Sequence, residues 1–336
     1  MNRFAIARAR TFAEAGELLA DKRFSLPVLK GGGMDLLDMM KEGLIEPDAL
    51  IDVRGARAEG AKGPVSDGGA AGGLRIEAGA TLAEIAAWPL MAKAAPVLVQ
   101  ACASAATPQV RNVATAAGNL LQRPRCWYFR NDQFECLKKG GPTCYAVEGE
   151  NKYHAIFGDG PCHIVHPSNL ALALMVCGAE VHLANSKRKS VKIGELFHMP
   201  DKGVRSEHTL EPGEMVTHIT FTAAPASGFY AVKEKQSFDW PLVAAAVALT
   251  LDGDTIKGAL VCAGAVAPIP WMLPKVGAAL QGVKVTDDAA LAKACAVSVE
   301  GAKPMSDNSY KLKLLPVAVK RAVLRASGRL REEDHA

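Results

Sequence analysis

The apolar positions change period several times along the first half of the chain. In "TFAEAGELLAD" they recur at helical spacing, and "LPVLKGGG" is a short apolar run ending in glycines, a strand that feeds a turn. "MDLLDMMKEGL" predicts another helix, and "ALIDV" a strand. "LRIEAGATLAEIAAW" then predicts strand, turn and helix. Between the last two, "RGARAEGAKGPVSDGGAAGG" has no hydrophobic period and predicts a surface loop. Residues 89 to about 121 are helical in spacing and end in a small-residue turn, "TAAGN". After an irregular stretch, "HPSNLALALMVCGAEVHLAN" predicts turn, helix and buried strand. "PGEMVTHITFTA" alternates with period two, setting Val216, His218 and Thr220 opposite Thr217, Ile219 and Phe221. Near "APASG", residues 224–228, the composition marks a boundary. Antiparallel strands follow, with a hairpin turn at Asp252, Gly253 and Asp254, and then the helical "DDAALAKACAVSVEGA" and "YKLKLLPVAVKRAVLRA".

At 336 residues the chain exceeds what one hydrophobic core usually serves, so two or three domains are expected. A formal net charge of +4 without a dense basic stripe argues against nucleic-acid binding. The basic N-terminus runs into a helix pattern with no apolar signal core. No other window is long and apolar enough for a membrane span. A cytoplasmic setting is expected, or a periplasmic one if the chain is exported with a partner. In a reducing compartment clustered cysteines serve metal or redox chemistry more often than disulfides.

Two turns could hold a ligand. Gly31, Gly32 and Gly33 lie between a strand and a helix start, where backbone N–H groups can approach an anion such as phosphate; a plain tight turn is the competing reading. G-x-G-x-x-G and G-K-[ST] are both absent. In "QVRNVATAAGNLLQR", Ala116, Ala117 and Gly118 again allow close approach, with Thr115 and Asn119 as hydrogen-bonding side chains. Together the two turns suit a ligand with a pyrophosphate and a long polar tail. No Ser–His–Asp order, H-E-x-x-H or paired-carboxylate motif is present, and no catalytic acid, base or nucleophile is assigned.

Half of the eight cysteines fall in one stretch. Cys126, Cys136, Cys144 and Cys162 are spaced C-x9-C-x7-C-x17-C, among Arg, Lys, Asn and Gly. That is neither a zinc knuckle nor a ferredoxin run, so spacing leaves a metal cluster, a structural zinc and unreactive thiols all open. Cys102, Cys177, Cys262 and Cys295 lie in apolar surroundings and are expected to pack in the core. For His154, His163 and His166, surface or capping roles are expected.

The ordered motifs resemble the flavin-binding medium subunit of the molybdenum hydroxylases: xanthine dehydrogenase, carbon monoxide dehydrogenase, aldehyde oxidoreductase and 4-hydroxybenzoyl-CoA reductase. The resemblance rests on "KGGGMDLL", "TPQVRNVATAAGNLLQ", "HPSNLALAL", "LEPGEMVTHI" and "YAVKEKQSFDWPLVAAAVAL", and covers nearly the whole length. It implies an α+β fold: a two-lobed FAD-binding domain of the vanillyl-alcohol-oxidase type over residues 1–224, with lobes about 1–55 and 56–224. A smaller α+β domain with an antiparallel sheet would follow over 228–336. It also implies that Lys30, Gly31, Gly32, Gly33, Met34, Asp35 and Leu36 wrap the FAD pyrophosphate. Thr107, Thr115, Ala117, Gly118 and Asn119 would lie along the cofactor, and Asn169 and Lys233 near the flavin. Met34 stands where the family usually has Thr, Ala117 replaces a glycine, and Asn169 replaces an Asp. The last change removes a negative charge and is expected to favour the anionic reduced flavin.

Residues 123–165 resemble an insertion that carries a [4Fe–4S] cluster in two subgroups, and "QRPRCWYFR", "EGENKYHAIFG" and "CHIVHPSN" are most similar to the aldehyde oxidoreductase version. The resemblance therefore implies that the four clustered cysteines hold [4Fe–4S]. Its implied partners are a large subunit with a molybdenum cofactor and a small subunit with two [2Fe–2S] clusters. Electrons would pass from the small subunit to FAD and on to an acceptor; in the benzoyl-CoA-reductase branch they enter from ferredoxin and run the other way. A stand-alone flavin oxidase and a flavin-free scaffold are the alternatives of other classes.

Overall fold

The computed structural model describes residues 2–67, 73–235 and 237–330. Strands β1 (Ala5–Arg8), β2 (Pro27–Lys30) and β3 (Ala49–Asp52) form a parallel sheet in the order β1-β3-β2. Every residue of β3 is buried, as befits its central place, and the helix Phe12–Leu19 crosses over between β1 and β2. Thr11 caps that helix by accepting a hydrogen bond from the Glu14 N–H.

A second, antiparallel sheet has the order β4-β5-β8-β6-β7. Its strands are β4 (Val65–Asp67), β5 (Leu74–Glu77), β6 (Glu180–Ala184), β7 (Ser190–Lys192) and β8 (Met215–Phe221). Strand β4 departs from the surface loop expected there. Val65 is buried and pairs with Ile76, so one short apolar contact recruits a glycine-rich segment to a sheet edge. The remainder of that segment, residues 68–72, lies outside the described residues. In β8 the alternation is incomplete, because Val216 is buried beside Thr217 where His218 and Thr220 are only partly covered.

The third sheet, β12-β11-β10-β9, is antiparallel: β9 (Ser227–Lys233), β10 (Pro241–Asp252), β11 (Thr255–Gly264) and β12 (Trp271–Met272). Strand β10 is apolar at nearly every position because both of its faces are buried. Ala244 and Ala246 join the core formed with helices Pro96–Ala103 and Asn169–Val176, while Val243, Ala245 and Val247 join the core under helix Lys311–Ala326. The third sheet thus shares one core with the segments before it. Gly253, at φ +56°, makes the hairpin turn between β10 and β11.

Candidate functional site

Strand β2 ends at Lys30, and the chain turns through three glycines towards the helix Leu36–Lys41. Gly33 has φ +81°, which a side chain rarely adopts. Its two neighbours are required for a different reason. A Cβ on Gly32 would lie 2.0 Å from the carbonyl oxygen of Val113, and one on Gly31 would lie 2.7 Å from Thr115 Oγ1. From the other side, a Cβ on Gly118 would lie 2.9 Å from the same hydroxyl. The two small-residue motifs therefore pack backbone against backbone. Thr115 is the hub: its hydroxyl accepts the Gly118 N–H at 3.2 Å and caps the helix Ala116–Leu120. A capped helix thus stands where the sequence predicted a turn, since a Thr cap followed by two alanines starts a helix readily. Thr107 caps Pro108–Arg111 in the same way, accepting the Val110 N–H at 3.3 Å.

Between these turns opens a cleft of about 660 Å³, within the range of cofactor sites. Gly31, Gly32, Gly33, Met34, Asp35 and Leu36 line one side, Thr107, Thr115, Ala117, Gly118 and Asn119 another, and Asn169 also reaches it. Lys30 and Lys233 do not line it. The Lys30 ammonium donates to the Gly31 carbonyl at 3.2 Å and lies 3.5 Å from the Asp52 carboxylate. The Lys233 ammonium donates at 2.7 Å to the carbonyl of Ser104, a wall residue, and so braces the wall. Asn169 Nδ2 donates to Ser104 Oγ at 3.4 Å.

Several wall residues were not expected from the sequence. Phe238 and Trp240 stand at the cleft on the loop between β9 and β10, and the Arg125 guanidinium lies 5.1 Å from the Trp240 ring centre. Phe238 and Ala106, another lining residue, have φ of +59° and +43°, and such conformations in non-glycine residues gather at functional sites. The available signal was the aromatic pair in "SFDWP" breaking two strand patterns.

Asp35 has a second task. Its carboxylate accepts the Arg123 N–H at 2.8 Å and Arg130 Nη2 at 2.6 Å, and it also pairs with Arg125. Burial alone would raise its pKa, but these cationic partners hold it below the usual carboxylate range. All three partners belong to the cysteine-rich stretch, which is thereby fastened to the glycine turn.

Within that stretch Cys126, Cys136, Cys144 and Cys162 line one void, with His154 and Lys138 also at its wall. The void is small, about 10 Å³. Among the described residues no group of three or more His, Cys, Asp or Glu is set to hold a metal ion. The chemistry of the donor set nevertheless fits a thiolate-bound cluster. Four cysteines around one void offer thiolate ligands, and nearby backbone N–H groups favour the charged form of Cys126, Cys144 and Cys162, while burial opposes it at all three. The neighbouring Cys162 thiol holds Cys144 below the usual thiol range, while Cys162 itself is pushed up. Burial raises Cys126 to about 11.

Cys102, Cys177, Cys262 and Cys295 are buried elsewhere, and burial raises all four thiols. The histidines require a correction. His154 and His166 are not at the surface; both are buried, because the irregular stretch folds in against Val266 and Ala267, just after β11, and against Lys311 of helix Lys311–Ala326. His163 is half-buried.

Residues 2–222 match the family described as FAD binding domain in molybdopterin dehydrogenase, and residues 228–326 match the CO dehydrogenase flavoprotein C-terminal domain. The chain is 34% identical over 322 residues to the aldehyde oxidoreductase FAD-binding subunit PaoB of Escherichia coli (strain K12), covering 94% of this chain and 95% of that one. It is 26% identical over 311 residues to the carbon monoxide dehydrogenase medium chain of Afipia carboxidovorans, covering 89% and 88%. Its fold is that of a chain of the reconstituted CO dehydrogenase from Oligotropha carboxidovorans, with TM-score 0.73, 23% identity and coverage of 98% and 99%. It is also that of a chain of quinoline 2-oxidoreductase from Pseudomonas putida 86, with TM-score 0.72, 20% identity and the same coverage. By descent as well as by the way its two turns close on one cleft, the chain belongs to the FAD-binding family of the molybdopterin dehydrogenases and is an oxidoreductase subunit.

Proposed function

We propose that this chain is the electron-transfer subunit of a molybdenum hydroxylase, carrying FAD in the cleft and a [4Fe–4S] cluster on the four clustered cysteines. The substrate would be oxidised in a large partner subunit with the molybdenum cofactor, and a small partner with two [2Fe–2S] clusters would connect it to this chain. The relatives support such an assembly, since they are FAD-binding or medium subunits of enzymes of this type.

The observation that carries the reading is the Asp35 bridge. One carboxylate ends the glycine turn and is gripped by the arginines flanking Cys126, so the cleft and the thiol void are neighbours held in fixed relation. A flavin accepts electrons in pairs and releases them singly, which suits it to a place beside one-electron clusters. The residues of this chain supply binding and positioning. Gly31, Gly32 and Gly33 leave N–H groups open for a pyrophosphate, Asn119 and Thr107 offer polar contacts along the cleft, and Trp240 with Arg125 over its ring adds an aromatic wall. Backbone N–H groups near Cys126, Cys144 and Cys162, and the positive charge of buried Lys138 near Cys162, offset part of the cost of burying thiolates there.

The test is the iron, acid-labile sulfide and flavin content of the freshly purified complex. One FAD per copy of this chain is expected, and about four irons beyond those of the small subunit. A complex with flavin but without the additional irons would refute the cluster assignment and leave the flavin assignment standing. A colourless preparation would refute both.

A further inference from the structure

We propose that His154 donates an N–H hydrogen bond to the sulfur of Cys126 and so sets the reduction potential of the cluster held by this stretch. The proposal rests on the four-iron reading of the thiol void. His154 Nε2 lies 3.2 Å from Cys126 Sγ, well within reach for a sulfur acceptor. Nδ1, on the other side of the ring, is buried and has no hydrogen-bond partner. A neutral imidazole has one proton to place. On Nδ1 it would be an orphaned buried donor; on Nε2 it meets sulfur and leaves Nδ1 only as an unpaired acceptor, the arrangement that satisfies the donor when Cys126 is a thiolate.

The ring is also fixed in place. It packs edge-on to Trp127, with centres 5.8 Å apart, and against Tyr128 at 6.0 Å. Its backbone N–H donates to the Asn151 carbonyl at 2.9 Å. Its carbonyl accepts the Lys311 ammonium at 2.8 Å and Asn308 Nδ2 at 3.2 Å, both from the far end of the chain. The imidazole is the one side-chain hydrogen-bond partner of the Cys126 sulfur among the described residues. Reduction adds negative charge to the cluster sulfurs. A fixed donor therefore favours the reduced state, and removing it lowers the potential.

The experiment uses the purified complex, with potentials read by electron paramagnetic resonance during redox titration. His154→Phe keeps an aromatic ring between Trp127 and Tyr128 and removes the donor; His154→Gln keeps an N–H. We expect His154→Phe to retain its iron and to shift the equilibrium about tenfold towards the oxidised cluster, about 59 mV for one electron. His154→Gln is expected to recover part of that shift. Independently, pulsed resonance on the wild-type complex labelled with ¹⁵N-histidine should show the weak nitrogen coupling of a hydrogen bond, which decides the matter even if His154→Phe fails to assemble. An unmoved potential in an iron-replete His154→Phe complex would overturn the proposal. So would absence of the coupling, or a coupling as large as direct ligation gives. Wild-type complex without the four irons would instead remove the cluster reading, and this inference with it.

Discussion

Replacing Gly32 with alanine tests the cleft where its geometry is least forgiving. The new methyl would stand 2.0 Å from the Val113 carbonyl oxygen, about 1.4 Å inside the distance at which ordinary contact begins, and 2.8 Å from its carbon. Both obstacles are backbone, so no rotamer change relieves them. Either the glycine turn or segment 113–118 must shift, and both line the cleft. Overpacking of this kind costs about 1–3 kcal/mol. If that cost falls on the bound geometry, FAD binding weakens about 5- to 150-fold. Gly31→Ala meets instead the hydroxyl of Thr115, a side chain that can rotate at the loss of one helix cap, about 1 kcal/mol. Gly55→Ala, with open space around it, is the neutral control. The assay is the flavin-to-protein absorbance ratio after gel filtration, followed by titration of FAD into stripped complex with fluorescence detection. A Gly32→Ala complex that binds FAD as tightly as wild type would refute the argument that the two turns must touch.

Three more outcomes follow from the same structure. His166 is fully enclosed, packs on Phe197 and has no partner for either ring nitrogen; burial lowers its pKa to about 3. Because the folded value is below the unfolded one, the stability it contributes is complete above about pH 6.5 and is lost as pH falls. At pH 5 the loss is about 2 kcal/mol, and His166→Phe should remove that share of the pH slope in urea unfolding. Asn169→Asp should lower the flavin potential by about 30 mV, a tenfold change for two electrons, in a spectroelectrochemical titration; an unchanged or raised potential would refute the electrostatic reading of that position. Lys311→Met strips the Tyr153 and Ala265 carbonyls of a buried donor. It should cost about 2 kcal/mol and speed amide exchange around residues 151–156, whereas unchanged exchange would mean that the ammonium does not fasten this segment.

Much of the cleft was legible from local pattern. A strand before three glycines and a helix after them describe a turn that exposes N–H groups, and Gly33 has the left-handed conformation that such a turn favours. What local pattern could not convey was why Gly32 must be glycine. The reason is a carbonyl at Val113, reached only when the chain folds back. Asp35 is a similar case: as a residue near a helix start it looks like a ligand contact or a cap, yet its partners are Arg123, Arg125 and Arg130. The irregular stretch hid most. Without a period, nothing signalled that His154 would be covered by the last long helix through Lys311, or that Ile156 and Phe157 would pack into the core of the third sheet.

The shared carboxylate of Asp35 has one more implication, for damage rather than for turnover. Arg125 is the immediate chain neighbour of Cys126, and the same arginine grips Asp35 and lies beside Trp240. Should an oxidant attack the sulfur, the swelling at that residue is transmitted through a single peptide link to the grip on the glycine turn. Loss of yellow colour would then report injury at a thiol that does not line the cleft.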